Sequence, residues 1–325
     1  MSAEFNLIKQ FFTRPTSHTD LGIGDDAALI QVSAGKQLVV STDMSVVGTH
    51  FFQDTAPYNI GWKSLAVNIS DMAAMGATPK WATLAIALPD VNEKWLKDFS
   101  EGFFACADRF NVDLIGGDTT RGTLNISVTI MGETSTGEAL RRDNAQPGDD
   151  IWVSGHLGHA ALALAHLQKK IMLDKHELDI CLQALHQPQP RVSLGLALRG
   201  MAHSCIDISD GLLADLGHIL KASNTETPTI GATLQLENMP CLPTIKARLQ
   251  TSSTQQAILA GGDDYELCFT TPKNQREAIR TLVAQLDLNL TRIGEINNTG
   301  KLAVLFGDQA INITQLGYEH FAETA

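Results

Sequence analysis

Residues 63–79 have the sequence KSLAVNISDMAAMGATP, which combines a helical apolar repeat with polar residues on one side. The apolar spacing predicts an amphipathic helix over residues 61–76. Ser64, Asn68 and Asp71 fall at i, i+4 and i+7, so they form one polar stripe on that helix. A carboxylate on an otherwise apolar element is costly to bury unless it is paired or binds a metal ion. Asp71 is therefore a candidate metal ligand, with a salt bridge or a cap as the structural alternative.

The segments around this helix predict a mixed α/β (α+β) fold. Apolar runs typical of strands lie at residues 37–40 and 81–88. A second helix is expected after Pro89, and further strands at residues 113–115 and 125–131. Strands and helices in this proportion favour a ferredoxin-like N-terminal domain with a mixed sheet and helices on one face.

A turn-rich joint from Gly132 to Asp149 separates two predicted domains. We assign residues 1–137 to the N-terminal domain and residues 146–325 to a C-terminal α/β domain. The second half shows helical patterns at 156–168, 190–201 and 211–223, and strand patterns at 151–154, 229–236, 265–270, 289–295 and 301–306.

Six aspartate clusters lie in apolar or glycine-rich sequence, which is unusual for surface acids. Most fall at a predicted strand end or helix start, where α/β proteins place ligand sites. The clusters are GIGDDAA (22–28), STD (41–43), NISD (68–71), IGGDTTRG (115–122), IDISDG (206–211) and GGDDYE (261–266). Mg²⁺ prefers oxygen ligands and usually binds a few carboxylates together with substrate phosphates. The clusters therefore predict a multi-aspartate Mg²⁺ site in an enzyme of phosphate chemistry.

The sequence motifs of several other metal and phosphate sites are absent from this chain. HExxH and EF-hand patterns are absent, and so are the P-loop and the kinase motifs HRD and DFG. Gly22-x-Gly24 lacks the third glycine of a dinucleotide fingerprint. The segment from Asp207 to Ser209 lacks the second aspartate of D-x-D-x-[TV], so we set aside a phosphatase of the haloacid-dehalogenase type.

Two of the motifs allow two interpretations each. Residues 116–120 either bring backbone N–H groups close to a phosphate or form a tight turn. Ser209 is a candidate N-cap for a helix starting near Asp210, and a phosphate at that helix N-terminus is the alternative. The cations close to these motifs, which either contact phosphate or pair with an aspartate, are Lys63, Arg121 and Arg142.

Composition argues against several functional classes. The 36 Asp and Glu residues exceed the 24 Lys and Arg residues, giving a formal charge of −12, so no nucleic-acid partner is expected. No apolar stretch reaches the roughly 18 residues of a membrane span, and the N-terminus lacks signal-peptide features. The five cysteines form no CxxC pair, so we expect buried, reduced thiols in a cytoplasmic protein.

Six motifs in order resemble the thiamine-monophosphate kinase family. They are GIGDDAAL, STDMSVVGTHF, KSLAVNISDMAAMGATP, LIGGDTTRG, DISDGLLADLGHI and GGDDYELCF, within a similarity from Gly22 to Phe321. The family belongs to the superfamily of aminoimidazole ribonucleotide synthetase and selenophosphate synthetase. The resemblance implies direct in-line transfer of the γ-phosphate of ATP to thiamine monophosphate, assisted by several Mg²⁺ ions. It also implies a homodimer formed through the N-terminal domains, and a C-terminal domain that completes the substrate site.

The resemblance also implies roles for individual residues. We expect Asp43, Asp71 and Asp118 to be the catalytic carboxylates, because the Mg²⁺ ions that they bind would hold ATP and the acceptor phosphate in line. The matched Mg²⁺ positions are Asp26, Ser41, Thr42, Asp43, Asp71, Asp118, Asp207 and Asp210. The matched ATP positions are Gly117, Asp118, Arg142 and Ser209, and the thiamine phosphate positions are His50, Asp263 and Tyr318. Asp263 departs from the family's usual glutamate and is one methylene shorter, so a bridging water is the alternative to direct contact.

Two other functions remain as alternatives. Another ATP-dependent synthetase of the superfamily would activate a different acceptor, although the selenophosphate type needs a reactive cysteine near the N-terminus and the first cysteine here is Cys106. A non-catalytic metal-dependent nucleotide-binding protein would bind ATP without turnover. Ten of the 36 acids lie in the motifs, and the other 26 nearly balance the 24 basic residues, which concentrates the excess charge at the predicted site. These ten are Asp25, Asp26, Asp43, Asp71, Asp118, Asp207, Asp210, Asp263, Asp264 and Glu266.

Overall fold

The computed structural model describes residues 3–224, 229–313 and 315–321. The chain divides into two compact units, one of Met1–Met72 with Ala77–Ala139 and one of Ala73–Gly76 with Leu140–Ala325. Each unit has its own β-sheet and its own helices, so the predicted mixed α/β class is confirmed.

The first unit contains a four-stranded sheet in the order β1-β4-β2-β3. Strands β2 and β3 are parallel, and the other neighbours are antiparallel. The elements are α1 (Ala3–Leu7), β1 (Lys36–Val46), α2 (Pro57–Ala74), β2 (Thr78–Leu88), α3 (Glu93–Phe110), β3 (Asp113–Arg121) and β4 (Asn125–Ser135), with a π-helical turn at Ile8–Phe12. The ferredoxin-like arrangement is not confirmed, because the chain order β-α-β-α-β-β differs from the β-α-β-β-α-β of that fold.

Helix α2 is the helix predicted from residues 63–79, and it begins at Pro57. Its repeating apolar residues are completely buried, as at Leu65, Ile69 and Met72. A Cβ atom on Gly61 would lie 2.0 Å from the Phe99 carbonyl oxygen, so the backbones of α2 and α3 touch here. Glycine at this position therefore sets how closely the two helices pack, and with it the position of α2.

The second unit contains a seven-stranded sheet in the order β11-β10-β7-β9-β5-β8-β6. Only β10 and β7 are parallel among these described pairs. The strands are β5 (Asp150–Ser154), β6 (Ser204–Asp207), β7 (Gly231–Gln235), β8 (Leu267–Thr271), β9 (Leu290–Asn297), β10 (Leu302–Phe306) and β11 (Gln309–Ala310). The helices are α4 (His159–Leu167), α5 (Lys175–His186), α6 (Val192–Leu198), α7 (Leu212–Ser223), α8 (Pro243–Lys246), α9 (Ser252–Ala260) and α10 (Arg276–Leu286), with 3₁₀ turns at Leu236–Asn238 and Lys273–Gln275.

In the second unit, the sequence patterns located α4, α6 and α7 but missed α5, α8, α9, α10, β6 and β11. A local signal for α5 was present, since Asp174 and Glu177 form a capping box at its start.

The prediction that the cysteines are buried is confirmed, because all five thiols are buried and free. Burial raises the pKa of Cys106 far above its usual value. Across the described residues, no helix has both the length and the apolar character that a membrane crossing requires.

Candidate active site

Strand β1 and helix α2 bring the expected polar residues of the first unit together. The Ser41 hydroxyl donates to Asp71 Oδ2 at 2.5 Å. The Asp43 backbone N–H donates to Asn68 Oδ1 at 3.1 Å, and Asn68 in turn donates to the Ser64 carbonyl at 3.0 Å. The polar stripe of α2 therefore faces the middle of β1, where two aspartates and a serine hydroxyl meet.

The electrostatics of this cluster suit a bound cation. Burial, and after it the nearby charge of Asp71, raise the pKa of Asp43 to about 7. A divalent cation between two such carboxylates would relieve their repulsion, and Ser41, Asp43 and Asp71 supply the oxygen donors that Mg²⁺ prefers. Within the described ranges, no three His, Cys, Asp or Glu side chains are grouped to hold a metal ion. A pair of carboxylates nevertheless fits Mg²⁺, which usually binds one or two and completes its shell with phosphate and water.

A cavity of about 850 Å³ lies elsewhere in the first unit, and three predicted residues line it: Asp26, Gly117 and Asp118. This volume lies in the range of about 300–1,000 Å³ that is typical of small-molecule sites. The apolar side chains of Phe5, Ile8 and Phe12 contribute to its wall. The cavity thus combines exposed carboxylates with an apolar surface.

Gly117 lies on β3, so the tight-turn interpretation of residues 116–120 is wrong. Its backbone has φ +147°, and a Cβ atom there would lie 1.8 Å from the Leu84 carbonyl oxygen. A side chain is therefore excluded at this position on both conformational and steric grounds. The motif continues as a strand because β2 pairs with β3 as far as Arg121.

The structure does not bring Asp118 beside Asp43 within one chain. Asp43 pairs with Val128 on β4, Val128 with Leu84 on β2, and Leu84 with Gly117 on β3. Neighbouring strands are spaced about 4.8 Å apart, so three such steps separate the two ends of this row by roughly 14 Å. Asp43 and Asp71 form one cluster of the first unit, and Asp26 and Asp118 line the separate cavity.

Thr42 and His50 are the other predicted residues of the first unit. Thr42 is exposed, and its hydroxyl bonds to the Thr129 hydroxyl at 2.8 Å. Because side chains alternate along a strand, Thr42 points away from the face that carries Ser41 and Asp43. His50 Nδ1 accepts a hydrogen bond from the Val46 N–H at 3.0 Å, which fixes the orientation of its ring.

In the second unit, five predicted residues lie around the turn that follows β6. Asp207 is buried at the end of that strand. The Ser209 carbonyl accepts from the Asp263 N–H at 2.8 Å, and the Asp210 carbonyl accepts from the Tyr318 N–H at 2.9 Å. The Tyr318 side chain is half-exposed. Arg142 is also in this unit and exposed, and its carbonyl accepts from the Ser223 hydroxyl at 3.0 Å.

The prediction that Ser209 caps α7 is wrong. The N-cap of α7 is Gly211, with φ +123° and no side-chain hydrogen bond. Asp215, in the first turn of the helix, instead accepts the N–H groups of Ser209, Asp210 and Gly211 at 3.0, 3.1 and 3.1 Å. Burial, followed by the charge of Asp210, raises the pKa of Asp215 to about 7. Sequence reasoning missed Asp215, although an acid in a first helical turn is a common signal.

Two acids of the GGDDYE motif are structural anchors. Asp264 accepts the Gly158 N–H with both carboxylate oxygens, at 3.0 and 2.9 Å. Glu266 is buried and accepts from the Ser154 hydroxyl at 2.5 Å and from Arg191 Nε at 2.6 Å. Their inclusion among the acids expected to meet Mg²⁺ and phosphate is therefore wrong, because these carboxylates are occupied inside the second unit.

Comparison with known proteins places this geometry in a family. Residues 24–134 match the AIR synthase related protein N-terminal domain, and residues 146–307 match the corresponding C-terminal domain. The thiamine-monophosphate kinase of Escherichia coli (strain K12) is 41% identical over 324 residues, which cover 98% of each chain.

Solved structures agree with these matches. The crystal structure of thiamine-monophosphate kinase from Stenotrophomonas maltophilia K279a has a TM-score of 0.83 at 47% identity, over 92% of this chain and 94% of that chain. The structure of AaThiL complexed with AMPPCP and TMP has a TM-score of 0.76 at 28% identity, over 92% of both chains. Because the similarity spans both domains, the chain belongs to the thiamine-monophosphate kinase family and is an enzyme of the kinase class.

Proposed function

We propose that this enzyme transfers the γ-phosphate of ATP to thiamine monophosphate, giving thiamine diphosphate and ADP. The observation that carries the proposal is the carboxylate pair of Asp43 and Asp71, with the pKa of Asp43 raised to about 7, in a chain of this family. A structural relative is complexed with AMPPCP and TMP, which supports a nucleoside triphosphate and a phosphate acceptor as the two substrates.

Mg²⁺ is the metal ion that we propose for this chain. Ser41, Asp43 and Asp71 would hold it, since the Ser41 hydroxyl bonds to Asp71 and the charge of Asp71 acts on the Asp43 carboxylate. When bound, Mg²⁺ neutralises the negative charge of phosphate groups that would otherwise repel each other. The further ligands that we propose, for several ions in all, are Asp26, Thr42, Asp118, Asp207 and Asp210.

The transfer we propose is direct and in line, with Asp43, Asp71 and Asp118 as catalytic residues. The acceptor phosphate is already an anion, so the chain needs no strong general base, and positioning is its main task. Gly117 lines the cavity beside Asp118, and we propose that phosphate groups lie against this part of β3. The remaining residues that we propose for ATP are Asp118, Arg142 and Ser209.

We propose that the second unit recognises the thiamine part of the acceptor. Asp263 would face the cationic thiazolium ring, and Tyr318 would stack on an aromatic ring of the substrate. His50 of the first unit is the third residue that we propose for this substrate. The N–H groups of residues 209–211 are occupied by Asp215, so they do not bind a phosphate in this scheme.

We also propose a homodimer in the cytoplasm. Strand β1 is an edge strand, and its alternate residues Leu38, Val40 and Met44 are 42%, 54% and 55% exposed. An edge strand with an apolar exposed face is suited to cover by a second copy of the chain. Five buried free thiols suit a reducing compartment.

One assay tests the proposed reaction. Purified enzyme is incubated with ATP, MgCl₂ and thiamine monophosphate, and the products are separated by chromatography. We expect equal amounts of thiamine diphosphate and ADP, and none when EDTA replaces MgCl₂. ADP formation only with a different acceptor would favour another synthetase of the superfamily, and ATP binding without turnover would favour a nucleotide-binding protein. Either outcome contradicts the proposed function.

A further inference from the structure

The loop from Gly261 to Glu266 carries two residues in the left-handed backbone region. Asp263 has φ +69° and Tyr265 has φ +49°. Neither is a glycine, so each conformation costs about 1–2 kcal/mol. Such strain persists only where the surrounding contacts determine the backbone, and it is concentrated at functional sites.

The backbone of this loop is determined by contacts of Asp264 and Glu266 and by two backbone hydrogen bonds. Asp264 is held by the Gly158 N–H, and Glu266 by Ser154 and Arg191. The backbone N–H groups of Asp263 and Tyr265 donate to the carbonyls of Ser209 and Ile208, each at 2.8 Å. The anchors at Asp264 and Glu266, together with these backbone bonds, thus fix the loop on both sides of Tyr265.

The two side chains are joined by a hydrogen bond. The Tyr265 hydroxyl donates to Asp263 Oδ1 at 3.2 Å. Both residues bond through their N–H groups to the turn of residues 208–210, whose Asp210 carbonyl accepts from Tyr318. Tyr265 is therefore the neighbour that orients the Asp263 carboxylate beside this turn.

We propose that Tyr265 is a positioning residue, whose hydroxyl aims the Asp263 carboxylate at the cationic ring of the acceptor substrate. This inference rests on the proposed function. Asp263 has one methylene less than glutamate and so a shorter reach, which makes its orientation decisive for contact with a cation. The strained backbone presents the carboxylate, and the Tyr265 hydroxyl selects its rotamer.

Steady-state kinetics of Tyr265→Phe tests this role. The substitution removes one hydroxyl and keeps the ring. We expect KM for thiamine monophosphate to rise about three- to tenfold, the effect of losing one ordinary hydrogen bond, because the lost bond orients the carboxylate and does not itself contact the substrate. KM for ATP and kcat should stay within about twofold of wild type, because the proposed role of the hydroxyl is confined to binding of the acceptor. Tyr58→Phe on α2, in the other unit, is the matched control and should leave all three constants unchanged.

A double-mutant cycle separates positioning from general loss of structure. Asp263→Asn and the double variant Asp263→Asn/Tyr265→Phe should have the same KM for thiamine monophosphate within about twofold, because the tyrosine then has no carboxylate to orient. Additive effects, an unchanged KM in Tyr265→Phe, or an equal rise in both KM values would each overturn the proposal. Wild type is assayed first, and its failure to phosphorylate thiamine monophosphate would refute the proposed function instead.

Discussion

Acidic residues with the same local sequence setting have opposite roles in this chain. Asp43 has a raised pKa beside Asp71, so its charge is poorly compensated within the chain. Glu266 also lies in one of the aspartate clusters, yet Arg191, 75 positions away, already pairs with it. An aspartate-rich motif therefore indicates where a site lies, whereas the distant partners of each acid decide which carboxylates face the ligand.

Asp71→Asn tests the metal role at the residue scale. The amide keeps the size of the side chain and an oxygen that accepts from Ser41, but it removes the charge that we propose attracts Mg²⁺. We expect kcat at saturating Mg²⁺ to fall about 10²–10³-fold, with an unchanged far-UV circular dichroism spectrum. Asp108→Asn, on the exposed surface of α3, is the control and should keep wild-type activity. A wild-type kcat in Asp71→Asn would refute the metal role.

At the scale of elements, two glycines set the distance between α2 and α3. The close contact at Gly61 is matched at Gly102, where a Cβ atom would lie 1.9 Å from the Tyr58 carbonyl oxygen. Backbone atoms cannot move aside as a side chain can, so any larger residue forces the helices apart. Because α2 carries Asp71, this contact also positions the carboxylate pair.

Gly102→Ala should therefore destabilise the enzyme in spite of the higher helix propensity of alanine. Overpacking at such a contact costs about 3 kcal/mol, whereas alanine in a helix gains about 1 kcal/mol over glycine. We expect a clearly lower urea midpoint of unfolding by circular dichroism. Gly217→Ala on α7 is the matched control, since no atom lies within 4 Å of its added Cβ, and its midpoint should rise slightly. Equal responses of the two variants would contradict the packing argument.

Strand β5 begins with a buried charge that ties it to two other elements. Asp150 is fully buried and accepts from Arg276 of α10 and from Arg292 of β9, at 2.6–2.7 Å. Burial alone would raise the pKa of Asp150, but the hydrogen bonds and charges of the two arginines outweigh it and hold the pKa below its usual value.

This pairing predicts a pH dependence of stability. Because the folded-state pKa of Asp150 is lowered, its contribution to the free energy of unfolding is fully present above about pH 4. This contribution is lost as the pH falls further. Asp150→Asn should lower the urea midpoint at pH 7 and should then lose less additional stability than wild type between pH 5 and pH 3. Glu277→Gln, which breaks only an exposed pair with Arg280, should follow the wild-type curve. Parallel curves for Asp150→Asn and wild type would refute the assignment.

Across the whole molecule, local periodicity predicted many of the helices and strands. The pairing of residues that are distant in sequence could hardly be predicted at all. The helix around Asp71 and its polar stripe follow from a 3.6-residue repeat, which is present in the sequence itself. The strand predicted at residues 113–115 ended too early, because Gly116-Gly117 resembles a turn unless β2 is known to pair alongside. The hydrogen bonds that Asp215 accepts and the pairing of Glu266 with Arg191 depend on tertiary packing. The aspartate motifs gave the candidate site residues, but not that Asp43 and Asp118 lie at opposite edges of one sheet.

That separation bears on how one active site can use both aspartates. Roughly 14 Å within a chain is too far for Asp43 and Asp118 to bind the same ion, since carboxylate oxygens lie only about 2.1 Å from Mg²⁺. A two-fold symmetric dimer brings the same surface of each copy into contact with the other. In the homodimer that we propose, Asp118 of one protomer would serve beside Asp43 and Asp71 of its partner.

Mixed dimers test this arrangement directly. Asp71→Asn and Asp118→Asn are co-expressed with different tags, and the heterodimer is isolated by two affinity steps. If each active site is shared between the two protomers, one of the two sites in the heterodimer keeps both aspartates. We therefore expect about half of the wild-type kcat, although each parent variant is inactive. The matched control pairs Asp71→Asn with Asp43→Asn, which lie in the same cluster, and should stay inactive. An inactive heterodimer of Asp71→Asn with Asp118→Asn would show that each chain uses both aspartates by itself. The carboxylates at the two edges of one sheet would then act at separate positions along the substrates.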